Sequence, residues 1–366
     1  MKIECVKDKI KNAAILAEKM SGKNVTLPVL KNVILVAKSK SIVLKATNLE
    51  VGIEYEIPAK VSIEGVVAVP GAVLNNVLTN IYGSDVVSME LVNENLLIST
   101  KNSSTIIKTM SYEDFPVIPR VSDGNKIVLP VSKFIGGLKS VWYSASVSDI
   151  KPEISSIYIY TEDENLTFVA TDSFRLAEKK IKQKIEKFDG ILVPLNNVSD
   201  IIRAFDGVID GDIEILFNKN QASFVSSGIY LTTRLIDGIF PDYGQIIPKD
   251  HKTEVVVLKQ DFSNILKMAN IFSDKFNQIS LKVDVLNKLF EVESRNQDTG
   301  ENVSNIDATL SGENISMSFN YKYIVDCFQS IPDDSLVLRF NGVNKPLVIK
   351  GVSDKSFTYL VMPMNR

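Results

Sequence analysis

The chain repeats itself at an interval of 124 residues, and that period constrains its fold more than any local signal does. Ala46-Thr47-Asn48 returns as Ala170-Thr171-Asp172, and Pro70 returns as Pro194, both 124 positions on. Ile10 and Phe134, each four residues before an apolar partner (Ala14, Leu138), share that register. A third copy is fainter. Phe262 with Leu266 repeats Phe134 with Leu138 after 128 residues, and Ser294-Arg295-Asn296 lies 124 after Ala170-Thr171-Asp172. The joins repeat too. Asp114-Phe115-Pro116 and Phe240-Pro241-Asp242 fall where copies one and two end. Proline there blocks helix continuation and biases its predecessor toward extended backbone, and an aromatic beside it can pin the crossing chain to its domain. Units of this length are whole domains, too long for solenoid repeats.

Three such domains fit the 366 residues, with predicted boundaries 1–119, 120–248 and 249–366. Each copy opens with a short strand and then an amphipathic helix, over 7–20, 131–144 and 259–273. Apolar residues at i, i+4 and i+7, as in Phe134, Leu138 and Val141, mark the buried stripe. Strands follow, among them 41–46 and 51–57, rich in β-branched residues or alternating. A second helix follows Pro70, Asn196 or Asn320. Proline costs little there, because first-turn N–H groups lack intrahelical partners. Two helices and about eight short strands per copy predict an α+β domain, its helices on one face of antiparallel sheet.

The charge is unevenly placed. The sequence carries 41 basic and 44 acidic residues, a net −3, which argues against a protein coated all over by nucleic acid. The first helices with their following turns carry +3, +2 and +1, from lysines such as Lys11, Lys23, Lys133, Lys139, Lys259 and Lys267. The second helices are neutral, and 69–82 has no charge at all. The rest of the chain is therefore about −9. Sparse lysines on helices give weak, salt-sensitive attraction to phosphates and nothing that reads bases. Ordinary solvated helix faces account for the same lysines.

Catalytic signals are missing. His251 is the only histidine and lies in a polar stretch, so it reads as a surface residue. No HExxH, GxxxxGK[ST] or GxGxxG occurs. Asp210-Gly211-Asp212 and Asp333-Asp334 read as turns. No catalytic residue, metal or cofactor is predicted. Cys5 and Cys327 form no CxxC pair and suit a reducing cytosol. No apolar run approaches the ~18 residues of a membrane span, and residues 1–20 lack an uninterrupted apolar leader. A cytoplasmic protein without a membrane partner is expected.

Several longer motifs carry a family resemblance. Thr26-Leu27-Pro28-Val29-Leu30, Val169-Ala170-Thr171-Asp172-Ser173-Phe174-Arg175-Leu176-Ala177, Arg234-Leu235-Ile236-Asp237-Gly238-Ile239-Phe240-Pro241-Asp242-Tyr243, Glu293-Ser294-Arg295-Asn296 and Tyr359-Leu360-Val361-Met362-Pro363-Met364 stand in the order found in the beta subunit of bacterial DNA polymerase III, the sliding clamp. The chain resembles that family over essentially its whole length. The resemblance implies three domains of the DNA-clamp fold and a head-to-tail homodimer closing six domains into a ring around duplex DNA. It implies a processivity factor without chemistry of its own. Its partners would be the replicative polymerase, an ATP-using clamp loader, and other polymerases and repair proteins bearing clamp-binding peptides.

By motif position, the resemblance also implies a partner-peptide pocket between domains two and three. It would comprise Ile154, Thr171, Ser173, Phe174, Arg175, Leu176, Pro241, Gln245, Ile246, Phe276, Asn320, Tyr323, Pro346, Leu360, Val361, Met362, Pro363 and Met364. Leu176, Ile246, Val361 and Met362 would line an apolar cleft, with Arg175 and Asn320 offering hydrogen bonds. Phe174 and Gln245 depart from the family's usual histidine or tyrosine and arginine. DNA-facing candidates are Lys11, Lys23, Asn24, Lys133, Lys139, Lys151, Lys259 and Lys267. Ring closure is expected through the edge strand near 105–110 and the third domain, with Thr105, Ile107, Ile271 and Phe272 as contacts. An acid-cluster nuclease and a monomeric peptide-binding scaffold are the alternatives.

Overall fold

The computed structural model describes residues 1–22 and 27–364. Among the described residues six α-helices form: α1 (Lys7–Met20), α2 (Gly71–Asn80), α3 (Val131–Val141), α4 (Leu195–Phe205), α5 (Lys259–Ile271) and α6 (Tyr321–Asp326). The predicted apolar stripes are buried. Ile10, Phe134, Leu138, Val141, Phe262 and Leu266 are all essentially inaccessible to solvent. α3 stops three residues earlier than expected, and Trp142–Ser144 continue as a 3₁₀ turn.

Two compact units divide the chain. One contains Met1–Ile135 and Asn196–Asp237; the other contains Gly136–Leu195 and Gly238–Arg366. In the first unit, an eight-stranded antiparallel sheet runs in the order β10 (Asn125–Pro130), β15 (Asp212–Phe217), β16 (Gln221–Ser226), β17 (Ile229–Arg234), β4 (Val51–Pro58), β3 (Ser41–Thr47), β2 (Asn32–Lys38), β6 (Gly65–Pro70). A five-stranded sheet accompanies it: β5 (Lys60–Ile63), β1 (Lys2–Val6), β7 (Val86–Val92), β8 (Asn95–Ser99), β9 (Ser104–Lys108). In the second unit, nine strands run β14 (Ile191–Pro194), β11 (Ser156–Glu162), β12 (Asn165–Thr171), β13 (Arg175–Lys182), β26 (Phe357–Val361), β25 (Leu347–Gly351), β24 (Ser335–Phe340), β18 (Thr253–Leu258), β22 (Ala308–Gly312). A four-stranded sheet completes it: β21 (Gly300–Asn305), β20 (Leu289–Asn296), β19 (Gln278–Asp284), β23 (Ile315–Asn320).

The strand order exposes what the repeat does. Each large sheet is made by joining strands from two copies. In the first unit β4 pairs with β17, Gly52 opposite Thr232. In the second β13 pairs with β26, Leu176 opposite Leu360. β13 is the repeat-equivalent of β4, and β26 of β17. The remaining equivalents are β21 and β9, and each ends its own sheet with one side unpaired among the described residues.

The polar residues singled out as turns have turn roles. Asp333 Oδ2 accepts from the Ser353 and Asp354 N–H groups at 2.7 and 3.0 Å. Gly211 has φ +117° and its carbonyl accepts from Val131 N at 3.0 Å. His251 lies 3.4 Å from the Glu254 carboxylate. Cys5 and Cys327 are buried and unpaired. No helix among the described residues is long and apolar enough to cross a membrane.

Candidate functional site

The Ala-Thr-Asn/Asp repeat codes for a turn. Thr47 Oγ1 donates to the Val51 carbonyl at 2.8 Å, and Asn48 Oδ1 accepts from the Glu50 and Val51 N–H groups at 3.0 and 2.7 Å. Copy two repeats each bond. Thr171 Oγ1 donates to Arg175 O at 2.7 Å, and Asp172 Oδ1 accepts from Phe174 N and Arg175 N at 2.9 and 3.0 Å. These side-chain acceptors hold Leu49 and Ser173 in left-handed backbone, φ 79° and 77°, which non-glycine residues otherwise avoid. The third turn is one residue longer, with Asn296 opposite Gly300, and Asn296 Oδ1 accepts from Asp298 N at 2.9 Å.

The second turn sits at the β13–β26 joint and brings the predicted pocket residues together. Met362 N donates to Phe174 O at 2.8 Å, and Met364 N to Ser318 O at 2.8 Å, so the tail is stitched to both sides. Arg175 acts as a strut. Its Nε donates to Asp172 Oδ2 at 2.9 Å, its Nη1 to Asp326 Oδ2 at 2.5 Å, and its guanidinium lies 4.5 Å above the Tyr323 ring. Asn320 is engaged as well: Oδ1 caps α6 through Lys322 N at 3.0 Å, and Nδ2 donates to Phe276 O at 3.2 Å. Both residues therefore shape the site, and the donors expected to greet a peptide already have partners in the chain.

Strand alternation sorts the apolar candidates. Tyr359 faces the helices, where its hydroxyl donates to Tyr323 O at 2.7 Å. Val361 shares that face and is fully buried. Leu360 points the other way, in one row with its direct opposites Leu176 and Val348 and with Thr171 opposite Leu176. Val348 was missed by the sequence reading, although Pro346 two positions before it was named; Pro346 itself is buried. Around this row Phe174, Ile246 and Phe276 stand 61%, 48% and 57% exposed, an apolar display of the kind that marks interaction sites. Ser173 and Gln245 are exposed, and Gln245 Nε2 donates to Asp242 Oδ2 at 2.7 Å. Ile154 lies in the turn just before β11, its backbone bonded to Ser146 and Lys151.

The segment after Pro241 is fastened beside that row. Phe240 stacks on Tyr158 at 5.0 Å, so the aromatic does pin this join. Tyr243, 8% exposed, donates to Glu178 Oε2 at 2.6 Å, and its hydroxyl lies 2.6 Å from that of Tyr160. Burial, and then Glu178, push the Tyr243 phenol well above its usual range, so it stays a donor. The first joint is fastened differently. Phe115 is only half-buried there, and the anchor is Ile118. A Cβ on Gly52 would come within 2.8 Å of Ile118. Where the second joint has Leu176, the first has a glycine with a side chain pressed onto it.

Sequence comparison supplies the family. Models of the DNA polymerase III beta subunit match at 1–119 (N-terminal domain), 128–242 (central domain) and 244–365 (C-terminal domain). The chain belongs to the DNA polymerase III beta-subunit family. Curated relatives named beta sliding clamp include those of Staphylococcus epidermidis, 26% identical over 93% of this chain and 92% of the relative, and Synechococcus elongatus, 26% identical over 100% and 99%. Among solved structures, the DNA polymerase III beta subunit of Thermotoga maritima superposes with a TM-score of 0.94 at 23% identity, covering 100% of this chain and 99% of that one. The sliding clamp of Bacillus subtilis gives 0.92 at 21% identity, with 100% and 99% covered.

The remaining beta-subunit candidates fall unevenly. Lys23 and Asn24 lie outside the described residues. Lys133, Lys139, Lys151 and Lys267 are exposed and Lys11 is half-buried. Lys139 and Lys267 occupy the same position of α3 and α5, 128 residues apart. Lys259 donates to Ile331 O at 2.8 Å, so its charge is tied to its own domain. On β9 the expected Ile107 is 3% exposed and belongs to the core, while Ile106 is 68% exposed. Side chains alternate along a strand, and the outward phase is the one through Ile106. Thr105 and Phe272 are half-buried, and Ile271 is 60% exposed.

Proposed function

We propose that this chain, a sliding clamp by family, closes with a second copy into a ring around duplex DNA and so serves as a processivity factor. One observation carries the reading: of three repeat-equivalent strand pairings, two are made inside the chain, and the strands of the third stand at sheet edges. β4 with β17 and β13 with β26 leave β21 and β9 as the third pair, each at a sheet edge. A head-to-tail contact, β9 of one copy on β21 of the other, supplies the missing joint, and two copies give six clamp domains with boundaries 1–119, 120–248 and 249–366. Transferring the register of the two internal joints sets Ile106 opposite Glu301 and Thr105 opposite Asn302. By the same equivalence α5, with Ile271 exposed, meets the uncharged α2, with Val73 exposed.

The lysines of α1, α3 and α5 would face the phosphates without reading sequence. The row Thr171, Leu176, Leu360 and Val348, flanked by Phe174, Ile246, Phe276 and Met362, is the place where peptides from the replicative polymerase, the loader and repair proteins would dock. No chemistry is assigned to the chain. Tethering alone raises the local concentration of a polymerase at its template. The test is topological. Protein loaded by a clamp loader onto nicked circular DNA should stay on the circle and slide off once the DNA is cut to a linear form. Equal retention on both forms would overturn the ring.

A further inference from the structure

The first joint has the plan of the peptide site, and the chain's own linker lies in it. Thr47 is opposite Gly52, and Gly52 opposite Thr232, as Thr171 is opposite Leu176 and Leu176 opposite Leu360. The row ends in Ser223 opposite Thr232, where the second joint has Val348 opposite Leu360. Glycine, threonine and serine thus replace three aliphatic side chains, and the floor is deeper by their lost volume. The hydroxyls do not make it polar. Ser223 Oγ donates to Leu216 O and Thr232 Oγ1 to Ala222 O, both at 3.3 Å, so each is spent on its own sheet.

Ile118 occupies the deepened floor. It is buried, whereas Val117 and Pro119 on either side of it are exposed. A Cβ on Gly52 would meet its Cγ2 at 2.8 Å and its Cγ1 at 3.3 Å. The linker is fastened just beyond. The Tyr230 hydroxyl donates to Pro119 O at 2.9 Å and accepts from Val121 N at 3.3 Å, while Arg120 lies 3.8 Å above the Tyr230 ring and pairs with Glu54. Glu54 lies 124 residues before Glu178, so both linkers fasten to the same glutamate position. They differ in what precedes the fastening. In the first linker Ile118 comes before Arg120 and is laid onto the row. In the second, Tyr243 is fastened two residues after Pro241, and Gln245 and Ile246 come after it and stand exposed. The rims differ as well. Phe174 and Met362 correspond to Glu50 and Arg234, which form an ion pair at 3.7 Å.

We infer that the first joint is a second peptide cleft held closed by the chain's own linker, with Ile118 in the place of a partner's apolar anchor. Once Ile118 is withdrawn, the cleft accepts an extended peptide that carries one branched apolar residue between charged flanks. The inference rests on the reading of the β13–β26 cleft as a peptide site. A tethered segment competes at an effective concentration on the order of millimolar. A site that is open for only a small fraction of the time binds a free ligand more weakly by that fraction. A partner peptide at micromolar concentration therefore meets one open cleft per chain and one closed.

The test uses the full chain and two synthetic probes. One copies residues 114–120 with a photoreactive leucine in place of the isoleucine; the other is a polymerase-derived peptide titrated in parallel. At micromolar concentration the linker peptide should leave β16 and β17 of the wild type unlabelled. In Ile118→Ala it should label them, as read by mass spectrometry of the digest, with an affinity about tenfold or more above that of the wild type. The exposed Arg120 can be truncated without opening the core. Arg120→Ala should give the same labelling at lower yield, and it decides the question if Ile118→Ala fails to fold. Folded variants that leave β16 and β17 unlabelled, or a wild type labelled there as strongly as the variants, overturn the inference while the polymerase-derived peptide still binds its own cleft. A wild type that does not bind the polymerase-derived peptide overturns the reading beneath it, so the two failures are distinct.

Discussion

Removing one oxygen from Tyr243 tests how the interdomain segment is held. Tyr243→Phe keeps the ring on Phe240, 6.1 Å away edge-to-face, and deletes the hydroxyl's 2.6 Å bond to Glu178 together with its 2.6 Å contact to the Tyr160 hydroxyl. Glu178 is 7% exposed, and its other charged neighbour, Lys180, stands 3.8 Å away. A hydrogen bond to a buried charged acceptor contributes about 1.5–3 kcal/mol, so the variant should lose about 2 kcal/mol. For a unit of this size that is about 4–8 °C in melting temperature. Tyr160→Phe touches the carboxylate only through Tyr243 and should cost less than half as much. Calorimetry of Tyr243→Phe, Glu178→Gln and the double variant gives the coupling directly. Additive losses, or a shift under about 1 °C for Tyr243→Phe, would refute the latch. Because Gln245 and Ile246 follow the latch, the same variant should also weaken peptide binding.

Other consequences are simpler to read. Ile106→Cys with Glu301→Cys should form a covalent dimer under mild oxidation, whereas Ile107→Cys with Glu301→Cys should not, as judged by non-reducing electrophoresis. Phe174→Ala and Ile246→Ala should each weaken a polymerase-derived peptide by about tenfold, roughly 1.4 kcal/mol, with the dimer unchanged by sedimentation; unaltered affinity would move the site elsewhere. Burial pushes the Cys5 thiol up to about 12, and Cys327 is buried too, so neither should react with a thiol reagent at pH 8 until denaturant is added. Gly52→Leu should destabilise the first unit, since its Cβ alone meets Ile118 at 2.8 Å; melting compared with wild type reads the effect.

The repeat and its turns were legible because they depend on side chains bonding their own backbone. Thr47-Asn48 and Thr171-Asp172 dictate the same loop wherever they occur. Helix stripes were legible for a similar reason, since Phe134, Leu138 and Phe262 repeat at helical spacing. Strand phase was harder. Ile106-Ile107 and Leu360-Val361 are apolar at both neighbouring positions, so alternation gives no sign of which faces outward. Only the pairing with adjacent strands decides it. Arg175 shows a second limit. Its position in the motif was plain, but Asp326 lies 151 residues away, and only the folded chain reveals that the guanidinium braces the turn.

The divided strand pairs also set where a closed clamp can come apart. Two of the three kinds of joint have both halves on one polypeptide, so a break there finds its partner still tethered nearby and heals at once. In the proposed ring the β9–β21 seam would have no such tether and would persist only while concentration or DNA kept two chains together. Such a molecule carries its own latch point: thermal or enzymatic force spread evenly around it would part it at the seam where chain continuity is missing.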